Sequence, residues 1–192
     1  MQYFVDPIVV IDTETTGVTF AAELIELAAV CLDEWGNLRS SFSTLVHPTK
    51  TITNRAREAL NVNNITEDEL AFAPSPSICR EQFSSWYNSI PYRIAPPRTL
   101  AYNVQFDKRM LDQLGVQLNW GRCLKTLTHK ITKDAGVIFY GPSGKAKPPN
   151  LKEACSFFEI PYPENAHRAL ADTEVTAQIA LKIAHNFPLL LS

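Results

Sequence analysis

Two acidic residues, one residue apart, follow the first apolar segment of the chain. Residues 8–11 form a continuous β-branched run, and Asp12 and Glu14 come directly after it, shortly before Gly17. Such a run predicts a buried strand. Because side chains alternate along a strand, Asp12 and Glu14 should share one face. Neighbouring carboxylates repel each other, and Mg²⁺ prefers such oxygen ligands. The pair is therefore a candidate metal site, with a solvated strand end as the alternative.

Three further residues with suitable chemistry lie far along the chain. Asp107 follows a predicted strand at the start of a helix, His167 follows a proline-containing loop, and Asp172 lies in the last predicted helix. Such positions gather at one edge of an α/β sheet. With Asp12 and Glu14, these carboxylates could hold two divalent cations for a phosphoryl displacement, and histidine is suited to deprotonating the attacking water. Taken singly, each is also explained as a helix-start acid or an exposed loop histidine.

The elements that must position these residues are indicated by apolar runs and turn residues. Residues 8–11, 24–33 and 38–46 predict a three-stranded meander with a turn at 34–37, and residues 98–102 predict a further strand. Helices are predicted from about residue 53, from the Thr66-x-x-Glu69 capping box, and over 77–89, 103–114, 123–133, 150–158 and 169–184. Strands and helices in this order predict one α/β domain with a mixed sheet, spanning residues 1–192.

Several local expectations follow from the same patterns. Glu26 lies inside the second apolar run, where it could face the acidic end of the first strand or point outward at a sheet edge, and the outward orientation is expected. Residues 141–150 contain a Gly-Lys pair, but Ala146 replaces the magnesium-binding Ser or Thr of a P-loop, so we expect an ordinary loop. The helix over 77–89 should be capped by Ser77, with its buried side formed by Ile78, Phe83, Trp86 and Tyr87.

Composition limits the class of protein. A hydrophobic fraction of 45% and a charged fraction of 20% over 192 residues are typical of a globular domain. A net charge of −2 argues against nucleic-acid binding by general electrostatics, but not against an enzyme that holds phosphates through metal ions. The four cysteines form no zinc-site pattern. Neither a membrane-spanning run nor a signal peptide is evident, so we expect a cytoplasmic protein.

At its acidic motifs the chain resembles the DnaQ-like 3′→5′ exonucleases of the DEDD superfamily, in the subgroup whose last motif carries histidine. Residues 12–14, 103–107 and 167–172 are similar to the family motifs D-x-E, N-x-x-F-D and H-x-A-x-x-D. Residues 59–66 are similar to the segment A-x-x-V-H-G-I-T. The resemblance spans about residues 9–184. It implies an RNase H-like mixed five-stranded sheet, an antiparallel meander followed by parallel strands, flanked by helices.

The resemblance also implies an activity and roles for individual residues. Nucleoside 5′-monophosphates would be released from 3′ ends of single-stranded DNA, or of RNA, with two Mg²⁺ or Mn²⁺ ions. Asp12 would bridge both ions, Glu14 and Asp172 would complete one site, Asp107 would support the other, and His167 would deprotonate the water. The residues implied to contact the 3′-terminal nucleotide are Thr13, Thr15, Thr16, Gly17, Glu58, Asn63, Asn103 and Phe106.

The resemblance leaves alternatives open. Asn63-Asn64 stands where many relatives have His-Gly, which changes an implied substrate contact. A catalytically idle module that binds nucleic acid or a partner through the same cleft is the alternative function. No polymerase-binding tail is evident after the last predicted helix, so we expect a stand-alone monomer or homodimer. The D-T-E-T-T-G setting is closer to proofreading-type members than to oligoribonuclease-type members.

Overall fold

A mixed sheet forms the centre of the structure, a computed structural model that describes residues 2–164 and 166–191. Strands β1 (Ile8–Thr15), β2 (Leu24–Leu32) and β3 (Leu38–Leu45) form an antiparallel meander. Strands β4 (Arg98–Ala101) and β5 (Asn119–Trp120) extend the sheet in parallel on the other side of β1. The strand order is β3-β2-β1-β4-β5, so β1 is central. The predicted mixed five-stranded sheet is confirmed.

Helices flank this sheet, and their capping follows the sequence signals at two starts. Thr66 and Asn150 each form a capping box with the glutamate three residues later. None of the helices in the described part of the chain has the length and apolarity needed to cross a membrane. The helices are α1 (Asn54–Asn63), α2 (Glu67–Ala71), α3 (Pro76–Asn88), α4 (Val104–Leu114), α5 (Leu124–Asp134), α6 (Leu151–Phe157) and α7 (Ala169–Asn186), with a 3-10 turn at Pro188–Leu190.

Alternate side chains of β1 enter two cores on opposite faces of the sheet. Ile8 and Val10 pack with apolar residues of α5, α6 and α7. Val9 and Ile11 pack with residues of α3 and α4. Because this alternation continues past Ile11, an acidic residue at position 12 or 14 faces α7, and the residue between them faces α4.

Two local predictions are corrected by the structure. Helix α3 begins at Pro76 and is capped by Ser75, not by Ser77. Ile78 therefore lies in the first turn on the outer side and is 47% exposed, while the neighbouring Cys79 is fully buried. The segment 141–150 is not entirely a loop, because β6 (Phe139–Tyr140) pairs with β7 (Ala146–Lys147) in a separate hairpin.

Two of the four predicted core positions of α3, Phe83 and Ile78, should respond very differently to truncation. Phe83 is fully buried against the rings of Phe42 and Trp86, so Phe83→Ala should lower the free energy of unfolding by about 3–5 kcal/mol. Ile78→Ala on the exposed side of the same helix should change it by less than about 0.5 kcal/mol. Urea unfolding of the two variants measures the difference, and similar losses would contradict the assigned orientation of α3.

Candidate active site

Three carboxylates meet where β1 ends. Asp12 and Glu14 extend from β1 on the face that packs against α7, and Asp172 lies in the first turn of α7. Each offers a ligand atom, and these atoms lie within 4.8 Å of one another. Oδ1 of Asp172 is buried and has no hydrogen-bond partner among the described residues. A buried carboxylate oxygen without a donor fits a hard divalent cation.

A fourth carboxylate approaches from the opposite face of the sheet. Asp107 in the first turn of α4 is 2% exposed, and its Oδ1 accepts a hydrogen bond of 2.8 Å from Oγ1 of Thr13. Asp107 lies outside the tight group of three, yet its charge raises the pKa of Asp12. The end of β1 therefore gathers acids from both faces of the sheet.

Burial raises the pKa of all four of these carboxyl groups, and repulsion by the neighbouring carboxylates adds to the rise for Asp12 and Glu14. The pKa of Asp12 lies well above its usual range because of burial and then the charges of Asp107 and Glu14. Burial and the charge of Asp172 raise the pKa of Glu14 to about 8. Burial raises the pKa of Asp107 to about 7 against the opposing Thr13 hydrogen bond. Without a cation, this cluster therefore holds protons near neutral pH.

A buried ion pair holds the start of α7 against β2. Glu26 lies directly across from Glu14 in the β1–β2 register and is 3% exposed. Arg168 donates to it from Nε at 3.1 Å and from Nη2 at 2.9 Å, and the Ala169 backbone N–H donates to Oε2 at 2.9 Å. The expectation that Glu26 points outward is wrong, since its side chain is buried and paired with Arg168. This partner lies 142 residues further along the chain. Glu26 thus supplies the helix cap that the Arg168 side chain does not.

His167 precedes this ion pair in a strained backbone conformation. Its φ of +67° is left-handed, which few residues other than glycine adopt, although histidine is among the more tolerant. The side chain is exposed. Its charge opposes the rise in the pKa of Asp172 that burial causes. His167 therefore lies beside the acidic cluster but does not belong to the group of three carboxylates whose ligand atoms lie close together.

The turn after β1 is held by its own threonines. Oγ1 of Thr15 donates to the Gly17 carbonyl at 2.6 Å, and Oγ1 of Thr16 accepts from the Glu23 backbone N–H at 2.9 Å. Asn63 is buried, and its Nδ2 donates to the Thr15 carbonyl at 3.5 Å. Gly17 has a φ of +147°, and no atom lies within 4 Å of where a Cβ would be. This glycine leaves the turn open to close approach.

The other predicted substrate contacts occupy different settings. Thr13 is buried and directed toward Asp107 rather than toward the turn. Glu58 is exposed on α1. Asn103 is exposed at the start of α4, and its side chain makes no capping hydrogen bond. Phe106 is half-buried, next to Asp107 in sequence.

Sequence reasoning missed the contribution of Arg168 and placed Glu26 wrongly. The available signal was weak: a glutamate inside an apolar run, and an arginine beside the candidate His167. Neither residue type is unusual at such a position. Only the strand register and the docking of α7 show that the two meet.

A buried carboxylate cluster at the end of a central strand, with a histidine beside it, is the arrangement of a metal-dependent phosphodiesterase site. The RNase_T family model, described as exonuclease, matches residues 9–180. The chain belongs to this exonuclease family. The predicted membership of an exonuclease family is confirmed.

Individual relatives agree with this assignment. The chain is 26% identical over 180 residues to the PolC-type DNA polymerase III of Staphylococcus aureus, which covers 93% of this chain and 11% of that protein. E. coli exonuclease I in complex with a dA16 oligonucleotide superposes with a TM-score of 0.75 at 17% identity, covering 96% of this chain and 42% of that one. The cell-death related nuclease CRN-4 superposes with a TM-score of 0.74 at 18% identity, covering 96% and 66%. The chain thus spans only part of each relative.

Removing the buried partner of Arg168 should destabilise the fold strongly. Glu26→Ala leaves the Arg168 guanidinium and the Ala169 N–H without their acceptor, so we expect a loss of about 3 kcal/mol in the free energy of unfolding. Glu67→Ala, which breaks the exposed ion pair with Arg57, should cost less than about 1 kcal/mol. Equal losses in chemical denaturation would show that the Glu26 pair does not fix α7.

Neutralising one carboxylate of the cluster should stabilise the metal-free protein. The pKa of Glu14 is about 8 in the fold against an ordinary value of 4.5, so the folded state binds its proton more tightly than the unfolded state does. In EDTA, stability should therefore fall as pH rises from about 5 to 8. Glu14→Gln should reduce that fall and raise the melting temperature at pH 8 by roughly 2–4 °C.

The matched control for this change is Glu81→Gln, at an exposed position of α3. It should leave the pH dependence of the melting temperature unchanged. A lower melting temperature for Glu14→Gln in EDTA at pH 8 would contradict the repulsion between the carboxylates of the cluster.

Proposed function

We propose that the chain hydrolyses the terminal phosphodiester at the 3′ end of single-stranded nucleic acid and releases nucleoside 5′-monophosphates. The observation that carries this proposal is the group of Asp12, Glu14 and Asp172 at the end of β1, with Asp172 Oδ1 left without a donor. The assignment to an exonuclease family supplies the reaction class. The oligonucleotide bound in the exonuclease I structure supports a single strand as the substrate.

Charge balance supports two divalent cations, Mg²⁺ or Mn²⁺, as the cofactors. Glu26 is neutralised by Arg168, which leaves the four carboxylates of Asp12, Glu14, Asp107 and Asp172. Two divalent cations carry the same amount of opposite charge. When bound, they supply stabilisation of the attacking and leaving oxygens of the displacement.

The positions of the carboxylates suggest a division of labour. Asp12 has Glu14 and Asp172 on one side and the charge of Asp107 on the other, so it is suited to contact both cations. Glu14 and Asp172 would help to hold one cation, and Asp107 would help to hold the other. The Thr13 hydrogen bond holds one oxygen of Asp107 and thereby fixes the direction of the carboxylate.

Other residues would handle the proton and the terminal nucleotide. The His167 imidazole accepts the proton of the attacking water, and its place beside Asp172 stabilises the imidazolium that results. The turn of Thr15, Thr16 and Gly17 receives the 3′-terminal nucleotide, because Gly17 leaves room for it. Asn63 keeps that turn in place through the Thr15 carbonyl. Glu58, Asn103 and Phe106 would complete the proposed contacts with the nucleotide.

The decisive assay follows a 5′-labelled oligonucleotide with Mg²⁺ or Mn²⁺. The wild-type protein should give a ladder of shortened products and 5′-mononucleotides, and EDTA should abolish both. Asp12→Asn should reduce turnover by more than a thousandfold, since it removes a proposed ligand of both cations. His167→Gln should reduce kcat by about 10²–10⁴-fold with little change in KM.

Matched controls come from the opposite end of the molecule. Asp134→Asn alters an exposed ion pair at the end of α5, and His185→Gln alters the last turn of α7; both should keep wild-type activity. A ladder that persists in Asp12→Asn would overturn the proposal. Tight oligonucleotide binding without cleavage under any divalent cation would favour the idle binding module. Matched single-stranded DNA and RNA substrates in the same assay decide between the two nucleic acids.

A further inference from the structure

An arginine is held between two phenylalanine rings next to the acidic cluster. Arg109 lies two residues after Asp107 in α4, and its guanidinium carbon is 5.1 Å from the ring centroids of both Phe20 and Phe106. Phe20 belongs to the loop between β1 and β2, three residues after Gly17. The stack therefore joins this loop to α4 beside the turn proposed to hold the terminal nucleotide.

The charge of Arg109 has no counterpart in the described protein. Its Nε and Nη2 are buried without a hydrogen-bond partner, and across residues 2–164 and 166–191 no carboxylate lies within ion-pair distance of it. Its guanidinium instead lies over the faces of the Phe20 and Phe106 rings. Cation–π attraction to both rings thus fixes the guanidinium plane, and the guanidinium in turn fixes the ring of Phe20.

The ring of Phe20 is largely exposed to solvent rather than packed in a core. It is 86% exposed, although its inner face rests on Arg109. The loop is also tied down at its backbone, since Nε2 of Gln113 donates to the Phe20 carbonyl at 3.4 Å and the Thr16 N–H donates to the Glu23 carbonyl at 2.9 Å. An exposed aromatic ring in a fixed orientation is what a nucleobase-stacking surface requires.

We infer that Phe20 is a stacking shelf for the base of one of the two nucleotides that precede the 3′-terminal nucleotide, and that Arg109 is the residue that positions it. The inference rests on the proposed function. Phe20 follows the Gly17 turn by three residues, so a strand with its end at that turn passes the shelf with the preceding nucleotides. The base must be unpaired to stack, which favours a single-stranded 3′ end.

Oligonucleotides with one abasic nucleotide, placed at each of the last six positions in turn, test the shelf. For the wild-type protein, kcat/KM should fall about tenfold when the missing base is at one of the two positions before the terminal nucleotide, in line with the strength of base–aromatic stacking. Phe20→Ala should lower kcat/KM on the intact oligonucleotide by a similar factor, through KM. It should also lose the position-specific penalty.

Arg109 variants separate positioning from charge. Arg109→Lys keeps the charge but lacks the planar guanidinium, so it should lose most of the abasic discrimination. Phe20→Trp should keep it, because indole also stacks on bases. Tyr92→Ala removes an exposed aromatic ring before the N-terminal end of β4, at the opposite end of the sheet, and should behave like wild type. The inference would be overturned if Phe20→Ala kept the full position-specific loss of kcat/KM on abasic oligonucleotides. It would also be overturned if the loss for the wild-type protein were equal at all six positions.

A nitrophenyl ester of thymidine 5′-monophosphate separates this outcome from failure of the proposed function. The ester has no preceding base, so its hydrolysis should be the same for wild type and Phe20→Ala. Absence of hydrolysis of both ester and oligonucleotide would refute the proposed function. In that case the abasic oligonucleotides still test the shelf when their binding is measured by fluorescence anisotropy with Ca²⁺. Affinity should fall at the same one or two abasic positions. Equal affinity for all of these oligonucleotides would overturn the inference.

Discussion

The negative charge that collects at the end of β1 is the constraint on which the rest of the structure depends. Asp12 and Glu14 leave the strand on one face, and Asp107 reaches the same end from the other face through Thr13. Burial makes the mutual repulsion of these groups expensive, as their raised pKa values show. Bound protons or cations relieve this repulsion, so binding of a cation here would stabilise the fold.

The same constraint explains why α7 begins where it does. Glu26 would add a further charge to the cluster, but Arg168 neutralises it, and the pair also caps the helix that carries Asp172. This ion pair thus reduces the repulsion from Glu26 and also fixes the start of the helix that carries Asp172. The cost of burying Glu26 is offset by the hydrogen bonds that it accepts from two guanidinium nitrogens of Arg168 and from the Ala169 backbone N–H.

The sequence was informative wherever a property is local. Alternation along β1, the capping boxes at Thr66 and Asn150, and the meander could all be predicted, because each depends on neighbouring residues. Contacts between distant segments could not. The Glu26–Arg168 pair spans 142 residues, and nothing in the sequence near Glu26 indicates its partner. Two-residue strands such as β5 are too short to leave an apolar pattern.

The two sides of the β1 end offer different environments to the proposed phosphate-bearing substrate. On the α7 side the carboxylates would repel phosphate until cations intervene, so binding there would depend on metal ions. On the α4 side Phe20 exposes an aromatic ring that rests on the Arg109 guanidinium, whose Nε and Nη2 are buried without a hydrogen-bond partner among the described residues. A chain with a net charge of −2 would therefore not need a general basic surface to hold a nucleic-acid strand. Metal ions at the carboxylates and stacking on Phe20 would place the strand instead.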